Sequence, residues 1–326
     1  MKNVPRLILS LILALSLCLF LAPNQAEAES HVTTVAAISQ STTAAWNYLK
    51  NNVGAIKASG IIPGLNKAVT RTSDGKTVTV CKGMVPQGLT FAGDYLLISA
   101  YCGCGKNHRS VIYVIDDKTR KYQSTLILDN NCHVGGLAKC GDYVWVCDSQ
   151  SGKYLRAYKY SSVKDSIGHK YWTIYTQAKR SVATTPSYLC AANGCLYVGT
   201  FSETSKTSDI YYYSVNGSAI AKKGKFTISG VPKIQGISIR GNYMLVTSSY
   251  GRTNKSKVYS YKFTGPKRYT SPLKTFTFPN MAEGCYIGSS NAYFLFESGA
   301  ATYRSSKNTM PLDKYVGLSN SVFGIK

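Results

Sequence analysis

Apolar residues in this chain come in short runs separated by turns rich in Gly, Asn and Asp, which predicts strands and hairpins rather than long helices. From Val85 to Tyr101 the sequence VPQGLTFAGDYLLISAY is an apolar strand, a Gly-Asp turn and a second apolar strand, the pattern of a tight β-hairpin. The pattern returns four times, as HVGGLAKCGDYVWVCDS from His133, TPSYLCAANGCLYVGTF from Thr185, KIQGISIRGNYMLVTSSY from Lys233 and MAEGCYIGSSNAYFLFES from Met281. The first core residues of the five copies are Leu89, Leu137, Leu189, Ile237 and Cys285, spaced by 48, 52, 48 and 48 residues. A period of that size with two hairpins per unit predicts a radial or stacked β-repeat.

Each unit holds four strands. The second strands, YLLIS, YVWVC and YMLVT, are apolar on both faces, as strands of sheets packed between neighbours should be. Third strands (SVIYVID, KYLRAYKY, DIYYYSV, KVYSYKF) are Tyr-rich and alternate partly, as half-buried outer strands do. Fourth strands are YQSTLIL, KYWTIYTQ, KFTIS and KTFTF, with Asn216-Gly217 as a hairpin turn between the third and fourth strands of one unit. The last unit has a third strand near Ala301 to Arg304 and no clear outer strand, whereas KTVTVCK, Lys76 to Lys82, stands alone before the first unit. A ring would use that spare strand to complete the last sheet and leave no open edge. Five units of about 48 residues need roughly 240, and Val85 to Lys326 supplies 242. The expectation is an all-β, five-bladed β-propeller of four-stranded blades, its last blade closed by an N-terminal strand and the whole preceded by a short helical segment.

That helix is expected within Thr42 to Ser59, where Ala45, Leu49, Val53 and Ile56 share a face beside Trp46 and Gly60 suits the end. Before it, Lys2 and Arg6, the apolar run Leu7 to Ala22 and the small residues around Ala26-Glu27-Ala28 form a secretory signal. The run is 16 residues, short against the ~20 of a membrane span, and no later stretch is long enough to cross. The domain reading is therefore 1–28 signal peptide, 29–72 helical segment and linker, 73–326 propeller, with the product secreted and any wall association carried by its charge.

The chain carries a formal net charge of +23, and +22 without the signal segment. Its lysines are scattered, and no nucleic-acid-binding motif accompanies them. For an exported protein the charge points to adhesion to anionic polymers or surfaces, or simply to solubility, rather than to nucleic acid.

The motifs VPQGL, HVGGLA, SYL, IQG with SSYGRTN, NMAEG and FESGA resemble a family of secreted bacterial β-propeller proteins of unassigned function, over about Val85 to Leu318. The resemblance implies the fold more than an activity. On VPQGLTFAGDYLL the chain is also similar to glutaminyl cyclases of the bacterial and plant type, five-bladed propellers with a QGL strand. That stretch carries over no catalytic residue.

In a propeller the loop leading into the first strand and the loop joining second to third strands emerge on one face. Two residues before each core anchor stand Gln87, Gly135, Ser187, Gln235 and Glu283, a ring around the channel mouth. Of the four Glu after the signal segment, Glu203, Glu283 and Glu297 fall on this face, and Asp148 joins them. A polar pocket is expected from Gln87, His133, Tyr188, Gln235, Tyr250, Arg252, Glu283 and Glu297. The alternative is a structural pairing of Glu283 and Glu297 with Arg252 or lysines.

Nine cysteines follow the signal segment, an odd number. Cys102, Cys104, Cys132 and Cys147 map to the mouth face, with His108 and His133 nearby. Sulfur and imidazole there would suit zinc, but an exported chain favours disulfides, so a disulfide brace with no metal or cofactor is expected. Cys190, Cys195 and Cys285 fall in inner strands as packed thiols. There is no nucleophile elbow, phosphate loop or zincin helix, and catalytic residues are not assigned. Three readings stand: a binder of a polar small molecule, glycan or peptide end; a carboxylate-based enzyme, cyclase-like or hydrolase/lyase-like; and a cell-surface scaffold on anionic polymers.

Overall fold

The computed structural model describes residues 40–304 and 310–326, so the expected signal segment lies outside the described residues. Helix α1 (Gln40–Asn52) comes first and is followed by strands β1 (Ile56–Ile61), β2 (Ala68–Arg71) and β3 (Val78–Cys81). Blade one is built from β4 (Met84–Ala92), β5 (Tyr95–Cys102), β6 (Val111–Asp116) and β7 (Tyr122–Leu128). Blade two contains β8 (Leu137–Cys140), β9 (Tyr143–Asp148) and β10 (Tyr154–Lys159). After β11 (Tyr171–Ile174), it is completed by β12 (Ala178–Ser181). Blade three is β13 (Tyr188–Ala192), β14 (Cys195–Gly199), β15 (Thr207–Asn216) and β16 (Ala219–Ser229). Blade four contains β17 (Ile234–Arg240), β18 (Tyr243–Ser248) and β19 (Lys255–Lys262). After the short β20 (Arg268–Tyr269), it ends with β21 (Lys274–Asn280). Blade five is β22 (Ala282–Ile287), β23 (Asn291–Phe296) and β24 (Lys314–Ser319), with β1 as its outer strand. The innermost strands β4, β8, β13, β17 and β22 touch in that order, and β22 returns to β4, which closes the ring.

The hairpin turns fall where the sequence places them: Gly93, Gly141, Gly194 and Gly241 all adopt positive φ in the tight turns of the inner hairpins. The doubly apolar second strands explain the core. Five buried clusters fill the five gaps between neighbouring blades, for example Leu89, Ile98, Leu295 and Tyr315 between blades one and five. Val246, Ile228 and Tyr188 fill the gap between blades three and four. Each fully buried Leu, Ile or Val contributes about 1.5–3 kcal/mol, so the blades are held by their faces as well as by their ladders.

Four sequence expectations are corrected. The closing strand is β1, antiparallel to β24 from Ile56↔Leu318 to Ile61↔Lys314. KTVTVCK instead supplies β3, which pairs with β2 in a hairpin beside blade one. The closing strand IKASGI has no alternating apolar pattern. It fits because Gly60 lies under Tyr315, where a Cβ would stand 2.3 Å from the phenol oxygen. Accordingly α1 stops at Asn52 rather than near Ser59, with Ala45 and Leu49 buried against blades four and five. The third strand of blade five is β24, while Ala301–Tyr303 forms a single 3-10 turn. Finally, KYWTIYTQ does not complete blade two; its β11 joins blade one as a fifth strand, parallel to β7. Among the described residues no helix is long and apolar enough to cross a membrane.

Candidate functional site

Gln87, Gln235 and Glu283 each occupy a break in the ladder of an innermost strand. The register shifts between Pro86 and Leu89, between Ile234 and Gly236, and between Ala282 and Cys285. A bulge bends the strand and re-aims the extra side chain, and here all three line one cavity of about 490 Å³ at the channel mouth. His133, Tyr250, Arg252 and Glu297 line the same cavity. Seven of the eight residues expected from sequence therefore converge.

The eighth, Tyr188, does not line this cavity. It is buried in the core between blades three and four, with its ring over Gly199, where a Cβ would meet it at 2.2 Å. The reason lies in the neck below the mouth. One residue before the core anchor, the other blades carry Gly88, Gly136, Gly236 and Gly284, and neighbouring inner strands approach closely there. A Cβ on Gly136 would lie 2.4 Å from the Leu189 amide nitrogen, and one on Gly236 would lie 2.6 Å from the Glu283 carbonyl oxygen. Blade three carries Tyr188 at this position and turns its ring back into the blade core.

Glu283 and Glu297 form the centre of the cavity floor. Burial pushes the Glu283 carboxyl well up, and the adjacent Glu297 charge and a hydrogen bond to Glu297 push it further. Burial also raises Glu297. Hydrogen bonds from Glu283 and Gln87 and the charge of Arg252 oppose that rise, and Glu297 is pushed up to about 7. The Gln87 amide donates to Glu297 Oε2 at 3.0 Å. A hydrogen bond between the two carboxyl groups places a proton between them, and they titrate as a pair, the behaviour expected when like charges meet away from bulk water.

The walls are aromatic. Tyr101 and Tyr303 join through their hydroxyls at 3.1 Å, and Arg252 lies over the Tyr303 ring at 5.0 Å. The His133 imidazole packs on Tyr101 with ring centroids 4.2 Å apart. His133 reaches solvent through the cavity, yet protein surrounds it, and that desolvation holds its pKa below the usual histidine value. Across the mouth, Tyr250 is 41% exposed, donates to Glu203 Oε2 at 3.0 Å and carries Lys233 Nζ over its ring at 4.1 Å. The leading loops are strained: Val134, Lys233 and Met281 all have positive φ, which disfavours side chains with a Cβ, a β-branched Val above all.

Sequence reasoning missed Tyr101, Tyr303 and Phe201, which also line the cavity. The first and third lie at the ends of second strands, a recurrent position that carries a visible signal. Tyr303 carries none, because it arrives from the 3-10 turn. Asp148 lies elsewhere: it is buried and accepts from Arg156 Nε at 2.7 Å. The expected disulfides are absent, and the nine described cysteines are free thiols. Cys132 lies in the core between blades one and two, and Cys147 in that between two and three. Cys102 and Cys104 meet Cys81 and His108 instead.

No protein-family model matches the chain, and no curated protein matches it. Solved structures similar to it include Kuenenia stuttgartiensis hydrazine synthase, at 12% identity and TM-score 0.37, covering 64% of this chain and 55% of that one. Chaetomium thermophilum Sqt1 bound to the N-terminus of the ribosomal protein L10 is similar at 8% identity and TM-score 0.37, covering 65% and 58%. A chain of the mitotic checkpoint complex is similar at 7% identity and TM-score 0.41, covering 81% and 95%. This chain thus spans a little over half the length of the first two.

Proposed function

We propose that this protein is a secreted β-propeller that binds a polar ligand, a saccharide unit or a peptide end, at the mouth of its channel. The observation that carries the reading is the proton-sharing pair Glu283 and Glu297, held by Gln87 on the floor of an open cavity of about 490 Å³. Keeping two carboxyl groups together in a desolvated site works against stability, and such arrangements concentrate at functional sites. The pair offers one donor and several acceptors to hydroxyl, amide or ammonium groups. Tyr101, Tyr303 and Tyr250 supply flat apolar faces for a sugar ring or side chain, and Arg252 supplies a cation for a carbonyl or carboxylate. The net charge of +22 that remains without the signal segment would hold the protein near anionic surface polymers, a salt-sensitive association separate from the mouth.

The test is calorimetric titration and thermal shift with mono- and disaccharides and with short peptides varied at their N-terminal residue. A bound ligand should lose at least ~10-fold in affinity, about 1.4 kcal/mol, in each of Gln87→Ala and Glu297→Gln. Binding that survives both changes together puts the ligand elsewhere.

A second reading, catalysis at the same mouth, is favoured by one observation: Glu297 is pushed up to about 7 beside a carboxyl that is itself raised, which is where a general acid or base works best. Peptides with N-terminal glutamine and simple glycosides are the substrates to try. Turnover should follow an apparent pKa near 7 that disappears in Glu297→Gln.

A further inference from the structure

Cys81, Cys102, Cys104 and His108 bring four ligand atoms within 4.8 Å of one another, outside the mouth cavity. The three sulfurs form a nearly regular triangle. Cys102 and Cys104 Sγ are 3.4 Å apart, Cys81 and Cys104 Sγ 3.5 Å, and Cys81 and Cys102 Sγ 3.7 Å. His108 Nδ1 completes the figure at 3.5 Å from Cys102 Sγ and 3.6 Å from Cys104 Sγ. Zinc–sulfur bonds of about 2.3 Å and zinc–nitrogen bonds of about 2.05 Å, arranged tetrahedrally, would put sulfurs about 3.8 Å apart and sulfur about 3.6 Å from nitrogen. The three sulfur–sulfur distances and the two from His108 to Cys102 and Cys104 are within a few tenths of an ångström of these values, and the remaining edge, Cys81 to His108, is below 4.8 Å. We infer that these four residues are a zinc site.

Three features of the chain favour that assignment over a disulfide. A disulfide would use two sulfurs and leave a thiol and an imidazole packed against it, with the bonded pair about 2.05 Å apart and the third sulfur set aside. Here no sulfur pair is singled out, and the imidazole faces two of the three. The local backbone is also shaped for convergence: Gly105 and Asn107 both take positive φ, at 76° and 52°, and curl the short segment between Cys104 and His108 so that both side chains turn to one point. Finally, backbone N–H groups face the sulfurs, Gly83 toward Cys81 and both Lys82 and Lys106 toward Cys104. Outer-shell donors of this kind stabilise thiolates around a cation. Soft sulfur with imidazole in a tetrahedron selects zinc among common divalent ions. The sulfurs are too close together for a cluster with bridging sulfides, so a single ion fits.

The location gives the site a purpose. Cys81 ends β3, Cys102 ends β5, and Cys104 and His108 lie in the connection to β6. The hairpin of β2 and β3 stands outside the ring, and a two-stranded hairpin alone is marginal. Beyond the hydrogen bonds from Gly103 N–H to the Gly83 carbonyl (2.9 Å), from Arg109 N–H to the Arg71 carbonyl (2.9 Å) and from the Thr70 hydroxyl to the Arg109 carbonyl (2.6 Å), the ion would tie this hairpin to blade one. It would also fix the strand end that carries Tyr101, one residue before Cys102 and part of the mouth wall.

The experiment uses the full chain expressed in zinc-supplemented medium and purified without chelator, with a portion of the freshly isolated material kept free of reductant for disulfide mapping. Elemental analysis should give one zinc per chain. Cobalt titrated into the reduced, metal-stripped protein should give the charge-transfer band of thiolate–cobalt and the strong visible bands of a tetrahedral ion. Cys104→Ser and His108→Ala should weaken cobalt binding by at least ~100-fold, more than the ~10–100-fold typical of losing an outer-shell partner. Cys190→Ser, whose thiol is packed between blades three and four, should leave it unchanged. Substoichiometric zinc in the native protein, a disulfide between any two of Cys81, Cys102 and Cys104 in freshly isolated material, or no cobalt–thiolate band in the reduced wild type would each overturn the assignment. The last two measurements need no variant to fold.

Discussion

Replacing Glu297 by Gln should remove a pH dependence that the wild-type protein carries through the neutral range. The ordinary value for a glutamate carboxyl is 4.5, and in the folded chain Glu297 is pushed up to about 7. The folded state therefore holds this proton more tightly than the unfolded chain does. The stabilisation that results is fully present below pH 4.5, falls as pH rises, and is gone above about 7. At ~1.4 kcal/mol per pH unit, that interval corresponds to about 3 kcal/mol at most, an order-of-magnitude figure because the proton is shared with Glu283. Glu283 is raised as well, by burial first and then by the Glu297 charge. His133 works in the opposite sense, since burial lowers its pKa and makes it destabilising as pH falls. Only the difference between wild type and Glu297→Gln isolates the Glu297 contribution.

Urea denaturation followed by tryptophan fluorescence serves as the assay, because Trp145 is fully buried and reports global unfolding. Measured at pH 5, 6, 7 and 8, wild type minus Glu297→Gln should decline by roughly 1–3 kcal/mol from the lowest to the highest pH. A constant offset is also expected, because a glutamine has one oxygen where two donors, Gln87 and Glu283, now find two. The slope carries the information, not the offset. A difference that stays flat to within about 0.5 kcal/mol would mean that Glu297 titrates like a surface carboxylate and that no proton is shared.

Glu283→Gln keeps a donor toward Glu297, so the melting temperature should move by no more than about 2–4 °C, while ligand response or turnover is lost; a large drop in melting temperature with binding retained would make Glu283 structural. A chain starting at Ile62 lacks β1 and leaves the outer edge of β24 unpaired, so size-exclusion chromatography should show oligomers or aggregate, and a stable monomer would refute the closure. Tyr188→Ala should cost about 3–5 kcal/mol, as for a large side chain removed from a core, with ligand affinity preserved because the ring packs between blades three and four; lost affinity in a protein of unchanged stability would return Tyr188 to the mouth.

The blade count, the hairpins and most of the mouth were legible because they repeat. One anchor per unit places Gln87, Gln235 and Glu283 at a shared position, and a ring fold then brings shared positions together. What failed to repeat was hidden. The closing strand IKASGI has a broken burial pattern and a bulge near Ile56, so its pairing is set by the partner edge and by room under Tyr315, neither of which has a periodic signature. KTVTVCK alternates well and looks like the better closing strand, yet it serves a hairpin that delivers Cys81. The cysteine cluster was half-visible: Cys102, Cys104 and His108 are local, but Cys81 arrives from a separate hairpin whose docking only the fold reveals.

The bulges of the innermost strands all fall at one end of the channel, and that distribution bears on function. At the opposite ends of the inner hairpins the turns are ordinary, with Gly at positive φ where the turn requires it. At the mouth three ladders break into bulges, three residues with a Cβ take positive φ, and two carboxyl groups sit side by side out of bulk water. Each departure works against stability, by about 1–3 kcal/mol for a strained backbone position, and the regular propeller needs none of them. The bulges aim Gln87, Gln235 and Glu283 inward, and Gln87 and Glu297 then meet although 210 positions separate them in the chain. A scaffold that only filled its channel could do so with the close-packed glycines of the neck. Polar side chains from separate blades, converging above that neck with strained backbone behind them, are what a binding mouth requires and a plug does not.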